Sequence, residues 1–197
     1  MVSLFFISVV VVVLLTPGPT NTLLASSSIQ VGIRRSLKLI PAEVLGYLLA
    51  ISLWGVLIKV VSAPFPWLPA LLKLCSAVFI FFLAIRLWTT AKQMIDVNQP
   101  TIRASALFLA TVLNPKALLF ASAVFPEQSW HVAEQYVLHM VMFLLLITLI
   151  AFFWIVFGHI LVANRIHWLN QCNLQRFASV VLIAFSIPMT VLALSSF

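Results

Sequence analysis

Long apolar runs separated by short polar stretches govern what this chain can fold into. They fall at about 3–30, 40–58, 68–88, 104–124, 137–161 and 177–195. A membrane-spanning helix takes about 20 apolar residues, so each run has a length that crosses a bilayer. Sustained apolar length also favours helices over barrel strands, which alternate in polarity over about ten residues. Composition agrees: 63% of the 197 residues are hydrophobic and 8% are charged, against about 25% charged in soluble domains. So few charges cannot solvate a soluble surface of this size. A soluble enzyme, a nucleic-acid binder and a disordered tail are excluded. The expectation is an all-α integral membrane protein of six transmembrane helices, residues 1–197 forming a single transmembrane domain within the lipid bilayer.

The connections are short, at 36–38, 63–67, 96–103, 127–136 and 164–175. If successive helices alternate direction, one side collects Arg34, Arg35, Lys38, Arg86, Lys92, Arg103, Arg165 and Arg176. The other side collects Lys59 and Lys73. Lys and Arg accumulate on the cytoplasmic side. The net charge of +7 therefore reports orientation, with no nucleic-acid partner, and both termini are expected outside. Trp67 and Trp130 are expected at the outer interface, Trp88 and Trp168 at the inner one. The first Lys or Arg is Arg34, so the basic start of a cleaved signal peptide is missing and the first segment is expected to stay. Cys75 and Cys172, the only cysteines, suggest no disulfide framework. Ala106, Ala110, Ala117 and Ala121 have the helical spacing of a close-packed face.

The first and fourth segments share an interruption. One carries Thr16-Pro17-Gly18-Pro19-Thr20-Asn21, the other Leu113-Asn114-Pro115-Lys116. Proline lacks an N–H and clashes with the preceding turn, so each helix is expected to break there. Pro19 and Pro115 lie 96 residues apart, and Trp54 and Trp154 lie 100 apart. Two halves of three helices, about 1–96 and 97–197, follow. An odd number of helices turns the second half upside down, and the basic loop after the first segment faces acidic Glu127 and Glu134 after the fourth. Matching interrupted helices in inverted halves point to a transporter binding site.

Irregular backbone survives at membrane depth only when buried in protein or lining a wet cavity. Pro17 and Pro19 leave the carbonyls of Val13 and Leu15 without helical partners, and such carbonyls can hold an ammonium group or a cation. Gly18 permits unusual φ values, and the restarted helix near Asn21 offers amides to a carboxylate. Together they suit a zwitterion; a structural kink is the competing reading. Lys116 lies about 18 Å along its helix, where a lysine costs about 2.5–3.5 kcal/mol on insertion scales. It is expected to face the bundle interior, either towards a substrate carboxylate or towards Glu43 or a carbonyl cluster. Glu43 and His139, again 96 residues apart, are candidates for a proton relay, with interfacial placement the alternative. Trp154 and His159 read as packing or interface residues. Nothing matches a metal-ligand cluster, a Walker loop or a Ser-His-Asp set, so no cofactor is expected.

These motifs resemble those of the LysE/RhtB amino-acid exporter family. Thr16-Pro17-Gly18-Pro19-Thr20-Asn21 with Gly32-Ile33-Arg34-Arg35-Ser36-Leu37 is similar to its first signature, and Leu113-Asn114-Pro115-Lys116-Ala117 with Phe120 and Pro126 to its second. The resemblance covers essentially the whole chain. It implies export of amino acids or related small metabolites across a bacterial inner membrane, driven by the proton motive force, and it suggests a homodimer. There are departures from the family pattern: Thr20 intervenes before Asn21, Ser36 and Ala42 replace usual glycines, Glu127 and Gln128 follow Pro126, and Pro41 and Glu43 are less typical of the second helix.

The resulting expectation is a secondary exporter working by alternating access. Pro17, Gly18, Pro19 and Asn21 form one side of its substrate site, Asn114, Pro115 and Lys116 the other, and Glu43 carries the coupling proton. A small-solute channel and a non-catalytic membrane scaffold are the alternatives. An enzyme is disfavoured because only Glu43, Lys116 and His139 offer acid–base chemistry at membrane depth.

Overall fold

The structure is a computed structural model that describes residues 2–62, 64–65, 67–89, 102–162 and 171–194. Residues 96–101 and 164–170 of the expected third and fifth loops lie outside the described residues, as do Lys92, Arg165, Trp168 and the Lys73 side chain. Every regular element among the described residues is helical.

The first segment is two helices, α1 (Leu4–Leu15) and α2 (Pro19–Val31), bent by 57° at the break. Ser3 caps α1 by accepting from the Phe6 amide at 3.1 Å, which satisfies one of the free donors of the first turn. The helix stops before Pro17. It restarts with Pro19 at its first position, where the missing N–H costs nothing. Gly32 ends α2 with φ +79°, a left-handed conformation that glycine adopts freely. The fourth segment repeats the plan with α6 (Ala104–Val112) and α7 (Pro115–Leu119), bent by 44°. Asn114 caps α7 by accepting from the Lys116 amide at 3.0 Å. A π turn, Phe120–Val124, continues α7.

Between them, α3 (Ile33–Ser36) and a 3₁₀ turn (Leu37–Leu39) lead into α4 (Ile40–Ser62). The run Ile33–Ser62 is 30 residues of apolar helix. It begins earlier than the apolar run from 40 suggests, which places Glu43 roughly 15 Å along it at 1.5 Å per residue. After α5 (Leu68–Thr89), α6 and α7 comes a 3₁₀ turn (Glu127–Trp130), then α8 (Ala133–Val162) and α9 (Gln171–Leu194). Two helical runs, Ile33–Ser62 and Ala133–Ile160, are long and apolar enough to span a membrane, and each bent pair meets the test as one broken span.

Side-chain burial shows how the long helices sit. On α4, Glu43, Gly46, Tyr47, Ala50, Ile51, Gly55 and Ile58 turn inward, while Leu45, Leu49, Leu53, Val56 and Val60 are exposed. On α8, Phe143, Ile147, Ala151 and Trp154 are buried, and Val137, Val141, Leu145 and Leu149 are exposed. Both faces are apolar, as lipid on one side and protein on the other require. Trp67 and Trp88 are exposed, the placement an aromatic belt takes. Trp130 instead leaves the belt, half-buried and stacked on Phe125. Cys75 and Cys172 are free.

The main helix contacts exchange partners between the halves. Helix α4 packs on α6 and α7, α8 packs on α1 and α2, and α5 pairs with α9. Glycine permits both crossings: a Cβ on Gly46 would lie 2.7 Å from Thr111 Cβ, and one on Gly158 would lie 2.4 Å from the Ala25 carbonyl. Ala117 and Ala121 are buried, as close packing requires, but Ala106 is exposed and Ala110 half-buried. The expected alanine face is therefore split: α7 and the π turn lie inside the bundle, and the bend turns those two alanines away from its interior.

Candidate functional site

The two breaks meet. Four carbonyls of α1, those of Val13, Leu14, Leu15 and Thr16, lose their helical donors because Pro17 and Pro19 have no N–H and the chain turns at Gly18. The Asn21 side-chain amide donates to Leu14 at 2.7 Å and to Thr16 at 2.9 Å. The Lys116 ammonium, arriving from α7, donates to Val13 at 3.0 Å and to Thr16 at 2.8 Å. Thr16 Oγ1 adds a bond to the Val13 carbonyl at 2.6 Å. The Thr16 carbonyl thus serves both breaks at once, one lone pair to Asn21 and the other to Lys116. Lys116 is 3% exposed, so the cost of burying an ammonium is met by charge-assisted bonds to backbone dipoles.

Of the two partners expected for Lys116 within the chain, Glu43 or a carbonyl cluster, the structure shows the carbonyl cluster. Glu43 is fully buried, and neither carboxylate oxygen completes a hydrogen bond.

Pro17 and Asn21 are buried, Gly18 is half-buried, and Pro19 and Pro115 are exposed. A Cβ on Gly18 would lie 3.1 Å from Lys116 Nζ and 3.3 Å from its Cε, so glycine here makes room for the lysine. Asn114 is buried and donates to the Tyr47 hydroxyl at 3.2 Å while capping α7. Tyr47 is a member of the cluster that no motif announces. Its signal is positional: it follows Glu43 by one helical turn on the buried face of α4.

His139 stands apart from this group. It is buried, with Nδ1 2.8 Å from the Gln135 carbonyl of its own helix, and its ring meets Phe6 edge-on at 5.0 Å. It belongs to an aromatic column. Tyr47 contacts Phe120 and Phe143, Phe143 contacts Phe125, and Phe125 stacks on Trp130 at 5.4 Å. A Cβ on Gly55 would fall within 2.0 Å of the Trp130 ring, so α4 offers that ring a flat seat. Trp154 is fully buried, as a packing residue should be. On the other side of Asn21, α2 buries Ser26, Ser27 and Ser28, with Ser27 bonded to Ser36 at 2.9 Å. The polar cluster thus has aromatic rings of α4, the π turn and α8 on one side and the buried serines of α2 near it in sequence.

A cavity of about 420 Å³ opens beyond the column, lined by Ser52, Lys59, Trp130, His131 and Tyr136 among others, and none of the proline-motif residues reaches it. Among the described residues no group of His, Cys, Asp or Glu is arranged to hold a metal.

A family model described as LysE type translocator matches residues 11–195. No curated protein and no solved structure matches the chain.

Proposed function

The chain belongs to the LysE type translocator family, and on that premise we propose that it is a proton-driven secondary exporter of amino acids or related small zwitterions. Membership makes it a multi-pass membrane transporter of amino acids or similar solutes, not an enzyme. The finer reading rests on one observation: an ammonium carried by the second broken helix is held by carbonyls freed at the first, 2.8 and 3.0 Å away. Two discontinuous helices that meet at their breaks form the kind of midplane site that alternating access requires.

In this reading the chain consists of two inverted halves, about 1–96 and 97–197, in six spans. The exchanged packing of α4 on α6–α7 and α8 on α1–α2 supports it. Pro17, Gly18, Pro19 and Asn21 shape one wall of the substrate site, and Asn114, Pro115 and Lys116 the other. Lys116 attracts the substrate carboxylate once it leaves its carbonyls. Glu43, buried without a hydrogen-bond partner, carries the coupling proton, because a carboxyl group at this depth is most easily accommodated neutral. The aromatic column from Tyr47 to Trp130 closes the outer side of the site, and the serine-lined face of α2 forms the inner approach. The protein works in a bacterial inner membrane with both termini outside, as a homodimer.

A resistance panel tests this function. Cells overexpressing the chain are challenged with toxic amino acids and analogues, and survival should rise for a subset that shares a free ammonium and carboxylate. Unchanged survival across the panel, with the protein present in the membrane, would remove amino acids as substrates.

A further inference from the structure

The carbonyls at the first break form a built recess for a nitrogen cation. Val13 and Thr16 present their oxygens to one point, 3.0 and 2.8 Å from Lys116 Nζ. Gly18 closes the recess with bare backbone, since a Cβ there would stand 3.1 Å from the same nitrogen. On α4, Glu43 is fully buried and its two carboxyl oxygens have no hydrogen-bond partner. The recess belongs to the first half of the chain and its occupant is tethered to the second, 100 residues from Thr16. A lysine ammonium and a substrate α-ammonium offer the same three N–H donors. The occupant seen here therefore has the chemistry of the substrate expected here.

We propose that the Val13 and Thr16 carbonyls are the seat for the primary ammonium group of the substrate, held in the empty transporter by the chain's own Lys116. Substrate takes the seat as Lys116 leaves it, and the departing ammonium moves towards Glu43 and the substrate carboxylate. The inference rests on the transporter reading, and it adds a selectivity. Two carbonyls at hydrogen-bonding distance call for two N–H donors, so primary ammonium compounds fit, and fully N-methylated ones, with no N–H, do not. It also makes Lys116 a competitor for the seat: without it each carbonyl keeps one partner, Thr16 Oγ1 for Val13 and the Asn21 amide for Thr16, and loses its charged one.

The test is chemical replacement of the lysine head in the purified full chain. Lys116→Ala removes the occupant and leaves the seat. Ethylammonium chloride should raise the melting temperature of Lys116→Ala by about 3 °C or more at near-saturating concentration. Tetramethylammonium chloride and sodium chloride at equal ionic strength should not, and wild type should respond to none of them. Lys116→Met, whose own side chain fills the space beside Gly18, should fold and stay insensitive to the amine. If Lys116→Ala cannot be extracted in plain buffer, recovery of monodisperse protein in each salt becomes the readout, with recovery expected in ethylammonium alone. Equal responses to the three salts, no recovery in any, or an equal gain in Lys116→Met would overturn the proposal. The two readings fail separately. Amino-acid export by wild type without amine rescue removes the seat and leaves the transporter; rescue without amino-acid export does the reverse.

Discussion

The two breaks look alike in sequence and do opposite work. At the first, a 57° bend around Pro17 and Pro19 exposes carbonyls, and the residue that returns to cover them is Asn21. At the second, a 44° bend around Pro115 is capped by Asn114 at once, so its local backbone is largely satisfied. What the second break presents is a cation, Lys116. One break supplies acceptors and the other supplies the donor, and neither is complete alone. The two breaks are complementary in the hydrogen bonds they make, which explains how a lysine can be buried without a carboxylate bonded to it.

Removing the donor should have the largest effect. Lys116→Ala is expected to abolish efflux while leaving membrane insertion intact, and proteoliposomes that transport at the wild-type rate would refute the pairing of the breaks. Next comes Glu43→Gln, which keeps the shape of the side chain and removes its charge. Substrate exchange across the membrane should persist while accumulation against a gradient is lost; retained accumulation would take the proton from Glu43.

The helix crossings sharpen the comparison at smaller scale. Gly158→Ala drives a methyl against the Ala25 backbone at 2.4 Å, whereas Gly46→Ala meets the Thr111 side chain at 2.7 Å. Backbone cannot rotate aside, so Gly158→Ala should destabilise more, by about 1–3 kcal/mol. Thermal unfolding in detergent checks the order. Smaller still is the difference between the asparagines. Asn21→Ala removes two bonds to freed carbonyls, and Asn114→Ala removes a cap and one bond to Tyr47. With each bond contributing about 1 kcal/mol and a cap about the same, stability should fall similarly. Export should separate them, because Asn21 alone shares the Thr16 carbonyl with Lys116.

Much of this was legible in the residue order, for local reasons. The position of each break follows from proline's missing N–H, and the first, third and fourth apolar runs match their helices closely, while the second and sixth helical runs begin earlier, at Ile33 and Gln171 instead of 40 and 177. The interior placement of Lys116 follows from the cost of a charge at that depth. What the residue order hides is who answers whom. Lys116 and Val13 are 103 residues apart, and no periodicity links them. Tyr47 carries no motif, and the aromatic column from Tyr47 to Trp130 joins rings from separate helices that no sequence spacing links. Ala106 shows the opposite failure: its spacing suits close packing, but the bend at Asn114 turns it away from the bundle.

Active transport through a site shared by the two breaks is tested most directly in inside-out membrane vesicles with an acidic lumen, supplied from outside with labelled amino acids. Lumenal accumulation above the external concentration is expected, collapsed by an uncoupler and absent with Lys116→Ala. A lumenal level that stops at the external concentration whatever the pH gradient, or full accumulation with Lys116→Ala, would contradict it.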